Sequence, residues 1–271
     1  IAAVTAETLE QLRANALAVQ HAKLSFLAER LPLSEWMQPA PPALLALRDR
    51  SAAALGAAAH AILEAHPGEP WRQCVGLFAA RLPLAAVPGQ PAIVHDGGSR
   101  YHHARELAAD LAALQAGREQ AGAARLARHD VVPVRRALEV FGFHLARLDV
   151  RQNSAFHVRA LSQLMAAAGL DGSQWEDWSE AERLRFLERE LRSPRPFLHP
   201  DTSAGPEADA VLGCYRVLAG HLAGRGAEGL GSLIVSMTRR VSDLLVVYVL
   251  ARETGLLRPF PEGLVCQLPV V

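Results

Sequence analysis

Residues 143–151 read Phe-His-Leu-Ala-Arg-Leu-Asp-Val-Arg, and this stretch decides the fold class. From position 146 onward the even positions are apolar, and the odd positions carry the charged residues Arg147, Asp149 and Arg151. Side chains alternate between the two faces of a β-strand, so this spacing predicts a strand with one apolar and one charged face. The strand marks the change from a helical sequence to one in which strands and helices alternate.

Upstream of this strand the sequence is typical of helices. Ala and Leu, which are strong helix formers, dominate it, and apolar residues follow helical spacing from Thr8 to Arg30. Prolines and glycines interrupt the pattern. Further helices are predicted at Pro42–Ala65, at Trp71–Leu82, up to about Gln115, and at Val131–Val140. The segment Ala86–Arg100, rich in proline and glycine, is predicted to be a linker.

Downstream of the strand, helices and strands alternate. Ser154 is expected to cap a helix, and Ser179-Glu180-Ala181-Glu182 forms a capping box for another. Buried strands are predicted at 232–237 and 265–271, separated by a helix that Ser242 would cap and that ends at Gly255.

Strands separated by a single helix favour parallel pairing. We therefore predict a mainly α protein with a few parallel strands, as an incomplete part of an α/β barrel surrounded by many helices. The predicted domains are a helical region at 1–134 and a partial barrel at 135–271, with strands near 143–151, 232–237 and 265–271 and with helical insertions.

Composition limits the class of partner. The chain has 271 residues, 50% of them hydrophobic, and its 28 Lys and Arg residues balance 28 Asp and Glu residues. Such a balance creates no field that would attract nucleic acid or an anionic membrane. No apolar run approaches the ~20 residues of a membrane span. We expect neither a nucleic-acid nor a membrane partner, and the first residue, Ile1, and the last, Val271, look like cut ends.

The three cysteines and the histidine pairs give no sign of a metal site. Cys74, Cys214 and Cys266 lie far apart without a C-x-x-C spacing, which suits a reducing, cytoplasmic location. His102-His103 would point in different directions on a helix, and His129-Asp130 is expected to be a surface pair at a helix end.

The charged face of the strand at 143–151 leaves two interpretations open. Unpaired buried charges are costly, so Asp149 could pair with one arginine inside the barrel as part of a structural network. The other guanidinium would then be free to bind phosphate or carboxylate through its planar fork. Arg151 ends the predicted strand, which is where α/β barrels build their active sites.

The run from Ala146 to His157 resembles the phosphoenolpyruvate carboxylase family, whose usual form is L-V-R-[LI]-D-I-R-Q-E-S-x-R-H. It departs from that form at Asn153, usually Glu, and at Phe156, usually Arg. The matching positions are Arg147, Asp149, Arg151, Gln152, Ser154 and His157.

Further segments resemble the same family in the same order. They are Trp178-Ser179-Glu180 with Arg189-Glu190-Leu191 and Arg195-Pro196 (W-S-E…REL…RP), Val235-Ser236-Met237 with Ser242-Asp243 (I-S-M-A-x-x-P-S-D), Val270-Val271 (V-x-P-L-F-E-T), and Val4-Thr5. The resemblance covers the whole chain, strongly from Arg135 onward and thinly before it.

The resemblance implies that Arg151 helps to hold a substrate phosphate, with Arg147 and Asp149 as supports. It places the general-base histidine before Ile1, and the metal-binding carboxylates, a reactive lysine and a glycine-rich arginine loop after Val271. No catalytic residue and no metal ligand is therefore assigned within this chain.

The parent enzyme implied by the resemblance joins phosphoenolpyruvate and bicarbonate with Mg²⁺ or Mn²⁺, giving oxaloacetate and phosphate. It is a cytoplasmic homotetramer regulated by metabolites such as aspartate and acetyl-CoA, and this chain alone would be inactive. Two alternatives remain at this point: a helical scaffold or assembly module without chemistry, and another α/β-barrel lyase that acts on a phosphorylated acid.

Overall fold

A computed structural model describes residues 1–31, 33–85, 92–93, 98–171, 175, 177–261 and 263–271. Its helices are α1 (Ala2–Glu29), α2 (Pro42–Leu55), α3 (Ala58–Ala65), α4 (Pro70–Ala80), α5 (Ala104–Gln120), α6 (Ala124–Phe141), α7 (Ser154–Ala167), α8 (Glu180–Leu191), α9 (Pro206–Arg225) and α10 (Val241–Arg252). Its strands are β1 (Leu84–Ala85), β2 (Ala92–Ile93), β3 (Leu148–Asn153), β4 (Leu230–Ser236), β5 (Leu257–Phe260) and β6 (Gly263–Cys266).

The predicted fold class is confirmed. The protein is mainly helical, and β3 and β4 pair in parallel. Beyond β4, Val270 continues the sheet as a parallel bridge to Leu233, supported by the bond from Val271 N to Leu233 O at 2.9 Å. The described residues form no closed barrel. None of the described helices combines the length and the apolar character that crossing a membrane requires.

Contacts divide the chain into two compact units, each with its own core. The first unit contains residues 1–9 and 147–271, and the second contains residues 10–146. The sequence-based division into 1–134 and 135–271 remains a prediction about domains. Most of the predicted linker at Ala86–Arg100, namely residues 86–91 and 94–97, lies outside the described residues.

The first predicted strand is confirmed only in its second half. Gly142 ends α6 with a φ of 49°, and Leu145 has a φ of 62°, so the chain turns sharply before β3 begins at Leu148. Phe143 is buried in the core of the second unit, and Ala146 is exposed rather than packed. Within β3 the predicted alternation holds, because positions 148 and 150 pack on the core while positions 149 and 151 are exposed.

Other boundaries shift for local reasons. The predicted helix Pro42–Ala65 is two helices, because Gly56 has a φ of 60° and ends α2. The predicted strand at 265–271 is divided between the antiparallel hairpin of β5 with β6 and the parallel bridge at Val270. The capping box at Ser179 and Glu182 is confirmed, and Gly255 has the positive φ, 77°, expected after a helix end.

Candidate functional site

The candidate site lies in the first unit, at the C-terminal ends of the parallel strands β3 and β4. Arg151 is registered with Ile234, and Asn153 is registered with Ser236. Both strands therefore end at the same edge of the sheet. In open and closed α/β sheets, active sites form at this C-terminal edge. This edge presents Arg151 to solvent.

Asp149 is fixed by the backbone of β4. The register of β3 on β4 shifts between Leu148 and Val150, and the Asp149 Oδ1 accepts a hydrogen bond of 2.7 Å from the backbone N–H of Ser232. A Cβ at Gly231 would clash with that same oxygen. The carboxylate therefore needs glycine at position 231. Asp149 in turn satisfies the backbone amide that the irregular register leaves unpaired.

The two arginines of the charged face stay free of carboxylates. Neither Arg147 nor Arg151 forms an ion pair with any described residue, and both are exposed. The expectation that Asp149 pairs with one of them is wrong, because its nearest hydrogen-bond donor is the Ser232 amide. Arg151 is therefore available for an anion at the end of β3, and Arg147, directly before β3, is a second exposed guanidinium without an ion pair to a described residue.

The turn after β3 is attached to the turn after β4. Asn153, rather than Ser154, caps α7, because its side chain accepts the backbone N–H of Phe156 at 2.8 Å. The Ser154 hydroxyl is thereby free to donate to the backbone oxygen of Met237 at 2.9 Å. Met237 has a φ of 59°, unusual for a residue with a side chain, and this bond helps to hold it there.

The loop between β4 and α10 is held by two carboxylates. Asp243 accepts the backbone N–H groups of Arg239 at 2.8 Å and Arg240 at 3.2 Å. Ser242 does not cap α10 through its side chain. Its amide and hydroxyl donate to Glu180 at 3.0 and 2.7 Å, and these bonds outweigh burial to lower the pKa of that carboxyl. The loop that follows β4 is therefore held by side-chain hydrogen bonds at both its end and the start of α10.

A small pocket adjoins Arg151, which lines it together with residues of β4 and α9. Its volume is about 140 Å³, and its lining residues include Val150, Gln152 and His157. His157 Nε2 lies 3.2 Å from the Tyr215 hydroxyl, while its Nδ1 has no hydrogen-bond partner among the described residues. Burial lowers the pKa of His157 from 6.5 to about 4, so the ring is neutral near pH 7. We assign it a structural role, linking α7 to α9.

The described side chains of the site offer an exposed guanidinium, a group that suits anions, and little else. No group of three or more His, Cys, Asp and Glu side chains that could hold a metal occurs among the residues that the structure describes. Outside the site, in the second unit, burial raises the pKa of the Cys74 thiol to about 12, which makes it a poor nucleophile. The absence of a catalytic residue from the whole chain stays a prediction.

Three residues contribute to the site although the spacing of apolar and charged residues in the sequence did not point to them. Gly231 matters only because Asp149 occupies the space of its missing Cβ. Met237 matters through its backbone oxygen and its φ. Tyr215 meets His157 from a helix 58 residues away along the chain. A structural role for Ser154 and His157 could have been suspected from the motif match, but their partners could not.

The sequence profile of the family described as phosphoenolpyruvate carboxylase matches residues 1–271. A phosphoenolpyruvate carboxylase of Rhodopseudomonas palustris is 37% identical over 207 residues, covering 75% of this chain and 22% of that protein. Those of Aromatoleum aromaticum and Nocardia farcinica are 34% and 33% identical, and each alignment covers 96% of this chain and 28% of the relative. The chain thus spans less than a third of the length of these curated relatives.

Proposed function

The chain belongs to the phosphoenolpyruvate carboxylase family, and we propose that it forms a phosphate-binding part of an enzyme that joins phosphoenolpyruvate and bicarbonate. The products are oxaloacetate and phosphate. One observation carries this proposal: the guanidinium of Arg151 is exposed, without a carboxylate partner among the described residues, at the C-terminal end of a parallel strand.

Arg151 suits the charge that moves in this reaction. A bicarbonate oxygen attacks phosphorus, the bond from phosphorus to the enol oxygen breaks, and carboxyphosphate and the enolate of pyruvate form. Carboxyphosphate then releases phosphate and CO₂, and the enolate carbon attacks CO₂ to form oxaloacetate. Negative charge stays on the phosphoryl oxygens throughout, so a planar guanidinium that donates two hydrogen bonds stabilises the transition state.

Arg147 and Asp149 are assigned supporting roles. Arg147, directly before β3, adds positive charge to the segment, and Asp149 binds β4 through the Ser232 amide. A bound Mg²⁺ or Mn²⁺ would supply further charge stabilisation. Its ligands, the general-base histidine and the glycine-rich arginine loop are proposed to lie outside this chain, and the parent is proposed to be a cytoplasmic, allosterically regulated homotetramer.

Substitution of Arg151 in the full-length enzyme tests the proposal. Arg151→Ala should lower kcat/KM for phosphoenolpyruvate by roughly 10²–10³-fold, which is the loss of one preorganised contact to the transition state. Arg151→Lys should recover only part of the activity, because lysine keeps the charge but loses the planar fork. Steady-state kinetics coupled to malate dehydrogenase measure both variants.

Arg192→Ala is the matched control. Arg192 is also exposed, but it caps the C-terminal end of α8. This end of α8 lies beside the C-terminus of α10, where Arg252 donates to the Glu190 carbonyl. The other end of α8, at Glu180, meets the start of α10, which follows β4. Arg192 is therefore at the end of α8 that points away from the β4 side. The control should keep near-normal kinetics. Normal kinetics in Arg151→Ala would show that Arg151 is structural.

A further inference from the structure

A groove that contains no residue of the family motifs lies between α1 and α6 in the second unit. Its volume is about 610 Å³, within the range of pockets that hold small organic ligands. Apolar side chains form most of its wall, and basic groups lie along one side. The lining residues that matter are Lys23, Phe26, Arg30, His129, Asp130 and Pro133.

A buried carboxylate organises the basic side of the groove. The side chain of Asp130 is only 4% exposed, and its Oδ1 lies 2.9 Å from Arg30 Nε and 3.1 Å from His129 Nδ1. Burial alone would raise the pKa of Asp130, but these hydrogen bonds and the neighbouring arginines lower it. The expected surface pair at a helix end is thus wrong: His129 and Asp130 lie in the middle of α6, and Asp130 is buried.

Positive charge exceeds negative charge here. Arg118 lies directly behind Asp130, with Nη2 3.9 Å from Oδ2, and its side chain is 3% exposed. Its Nε and Nη1 have no hydrogen-bond partner among the described residues. Lys23, the one lysine in the sequence, forms no ion pair with a described residue. Two arginines thus share the Asp130 carboxylate, and Lys23 adds a third cation at the groove, so positive charge exceeds negative by about two before His129 is counted.

The apolar side of the groove favours a ring. Phe26 is 59% exposed although it is a large apolar side chain, and the Arg30 guanidinium lies 5.5 Å from the centre of its ring. Pro133, in the interior of α6, presents a second flat apolar face. Because proline has no N–H, it cannot donate the helical hydrogen bond to the carbonyl of His129 at the groove. The groove therefore pairs aromatic and prolyl surfaces with basic groups.

We propose that this groove binds an anionic organic ligand that carries an aromatic ring. The ring packs against Phe26 and Pro133, and its carboxylate or phosphate group is bound by Lys23 and Arg30. The buried Arg118 adds positive electrostatic potential from the interior side of Asp130, because the single charge of Asp130 does not neutralise the cluster. Neither a small inorganic anion nor a neutral ring satisfies both halves of the groove, so the two features together define the ligand class.

Binding of 2-naphthoate to the complete 271-residue chain tests the proposal. Calorimetric titration should show saturable binding with one site, at least tenfold tighter than binding of the neutral 2-naphthamide and of inorganic phosphate. Lys23→Met should weaken naphthoate binding by about five- to tenfold, since it removes one charge-assisted contact. Phe26→Ala should weaken both ring-containing probes. Equal affinity for naphthoate and naphthamide, or no saturable binding, would overturn the proposal.

Matched controls lie on the same unit. Arg136→Gln removes an exposed arginine of α6, and Leu126→Ala removes a large apolar side chain that is 53% exposed. Neither residue lines the groove. Both variants should bind naphthoate as the unsubstituted chain does. A loss in these variants equal to that in Lys23→Met and Phe26→Ala would show that charge or hydrophobicity acts nonspecifically, and would also overturn the proposal.

The single lysine allows a test that needs no variant. An amine-directed acylating reagent can modify only Lys23 and the N-terminal amine, so mass spectrometry can follow the two sites separately. Saturating 2-naphthoate should slow acylation of Lys23 by at least fivefold and leave the N-terminal amine unaffected. Equal rates at Lys23 with and without naphthoate would contradict binding in the groove.

Discussion

At the residue scale, Asp149 shows why spacing alone assigns the wrong partner. The sequence places a carboxylate between two arginines on one strand face, and an ion pair is the simplest expectation. Residues two apart on a strand lie about 7 Å apart, whereas the backbone amide of Ser232 on the next strand lies 2.7 Å from the carboxylate. The shift in register exposes that amide, and Asp149 satisfies it. The guanidinium groups remain available as a result.

Alternation predicted correctly which side chains of β3 face solvent, because a period of two follows from strand geometry. It could not predict the partners of Ser154 and His157. Those partners, Met237 and Tyr215, come from elements 83 and 58 residues away. Such contacts depend on packing between distant elements, which local spacing does not encode.

His157 should make folding stability depend on pH. Its pKa is lowered by burial from 6.5 to about 4, so between these values the unfolded chain binds a proton that the native chain does not. Stability is therefore full above about pH 6.5, falls as the pH drops towards 4, and levels off below that. Between pH 7.5 and pH 5 this one residue should account for about 2 kcal/mol of the loss.

Urea unfolding of wild type and His157→Gln at both pH values measures that contribution. The variant should lose about 2 kcal/mol less than wild type between pH 7.5 and pH 5, because glutamine does not titrate. His21→Gln, at an exposed position of α1, should retain the wild-type pH dependence. Identical pH dependence in wild type and His157→Gln would mean that His157 is not buried as a neutral ring.

At the scale of elements, most helices were predictable because their apolar spacing and their breakers lie within a few residues of each other. The sequence did not reveal the hairpin of β5 with β6, which overlaps the predicted strand at 265–271 only at Val265 and Cys266. It also could not reveal what the W-S-E and R-E-L segments do. They attach α8 along α10, through Glu180 and Ser242 at one end and through Glu190 and Arg252 at the other.

Arg252, which makes the second of these attachments, also forms a buried ion pair with its neighbour Glu253. The side chains of Arg252 and Glu253 are 1% and 3% exposed, and Nη2 lies 2.9 Å from Oε1. Arg252 also donates to the Glu190 carbonyl at 2.7 Å, and Glu253 accepts the Phe197 amide at 2.8 Å. Burial nevertheless raises the pKa of Glu253 above its ordinary value, so the carboxylate depends on its partner.

Arg252→Met should therefore destabilise the protein by about 3–5 kcal/mol, because it leaves Glu253 buried without its cation. Arg252→Met combined with Glu253→Gln should cost less than the sum of the single changes by about 0.5–3 kcal/mol, since the double variant buries no unpaired charge. Chemical denaturation of the four proteins completes this cycle. Strict additivity would contradict a coupled pair.

The exposed pair of Arg159 with Glu207 is the control for that cycle. Its atoms are 3.2 Å apart, but the arginine side chain is 50% exposed. Water screens such a pair, so Arg159→Met should cost less than about 1 kcal/mol. A cost as large as that of Arg252→Met would show that arginine truncation, rather than burial of a charge, causes the loss.

At the scale of the whole molecule, the two units divide the chemistry. The edge of β3 and β4 and the three family segments that follow β3 belong to the first unit, whereas the groove with Lys23 belongs to the second. The resemblance located Arg151 because its motif is local. It gave no indication of the groove, whose residues come from two helices about 100 positions apart.

This 271-residue chain is predicted not to make oxaloacetate by itself. Arg151 is the one substrate contact that the family resemblance assigns here, and no position matches the family's general base or metal carboxylates. Arg151 also faces solvent, where high dielectric weakens a guanidinium–phosphate contact. Among the described strands, β3 pairs only with β4, so its other edge is open and should favour self-association.

A malate dehydrogenase assay with Mg²⁺, bicarbonate and phosphoenolpyruvate measures this directly, and light scattering at several protein concentrations follows self-association. The rate should equal that of the blank at every protein concentration, because binding phosphate without a base or a metal supplies only part of the catalysis. Arg151→Ala should leave this zero rate unchanged. Turnover that rises in proportion to protein and disappears in Arg151→Ala would mean that the chain holds a complete active site, and the assignment of the missing groups to other parts of the parent would be wrong.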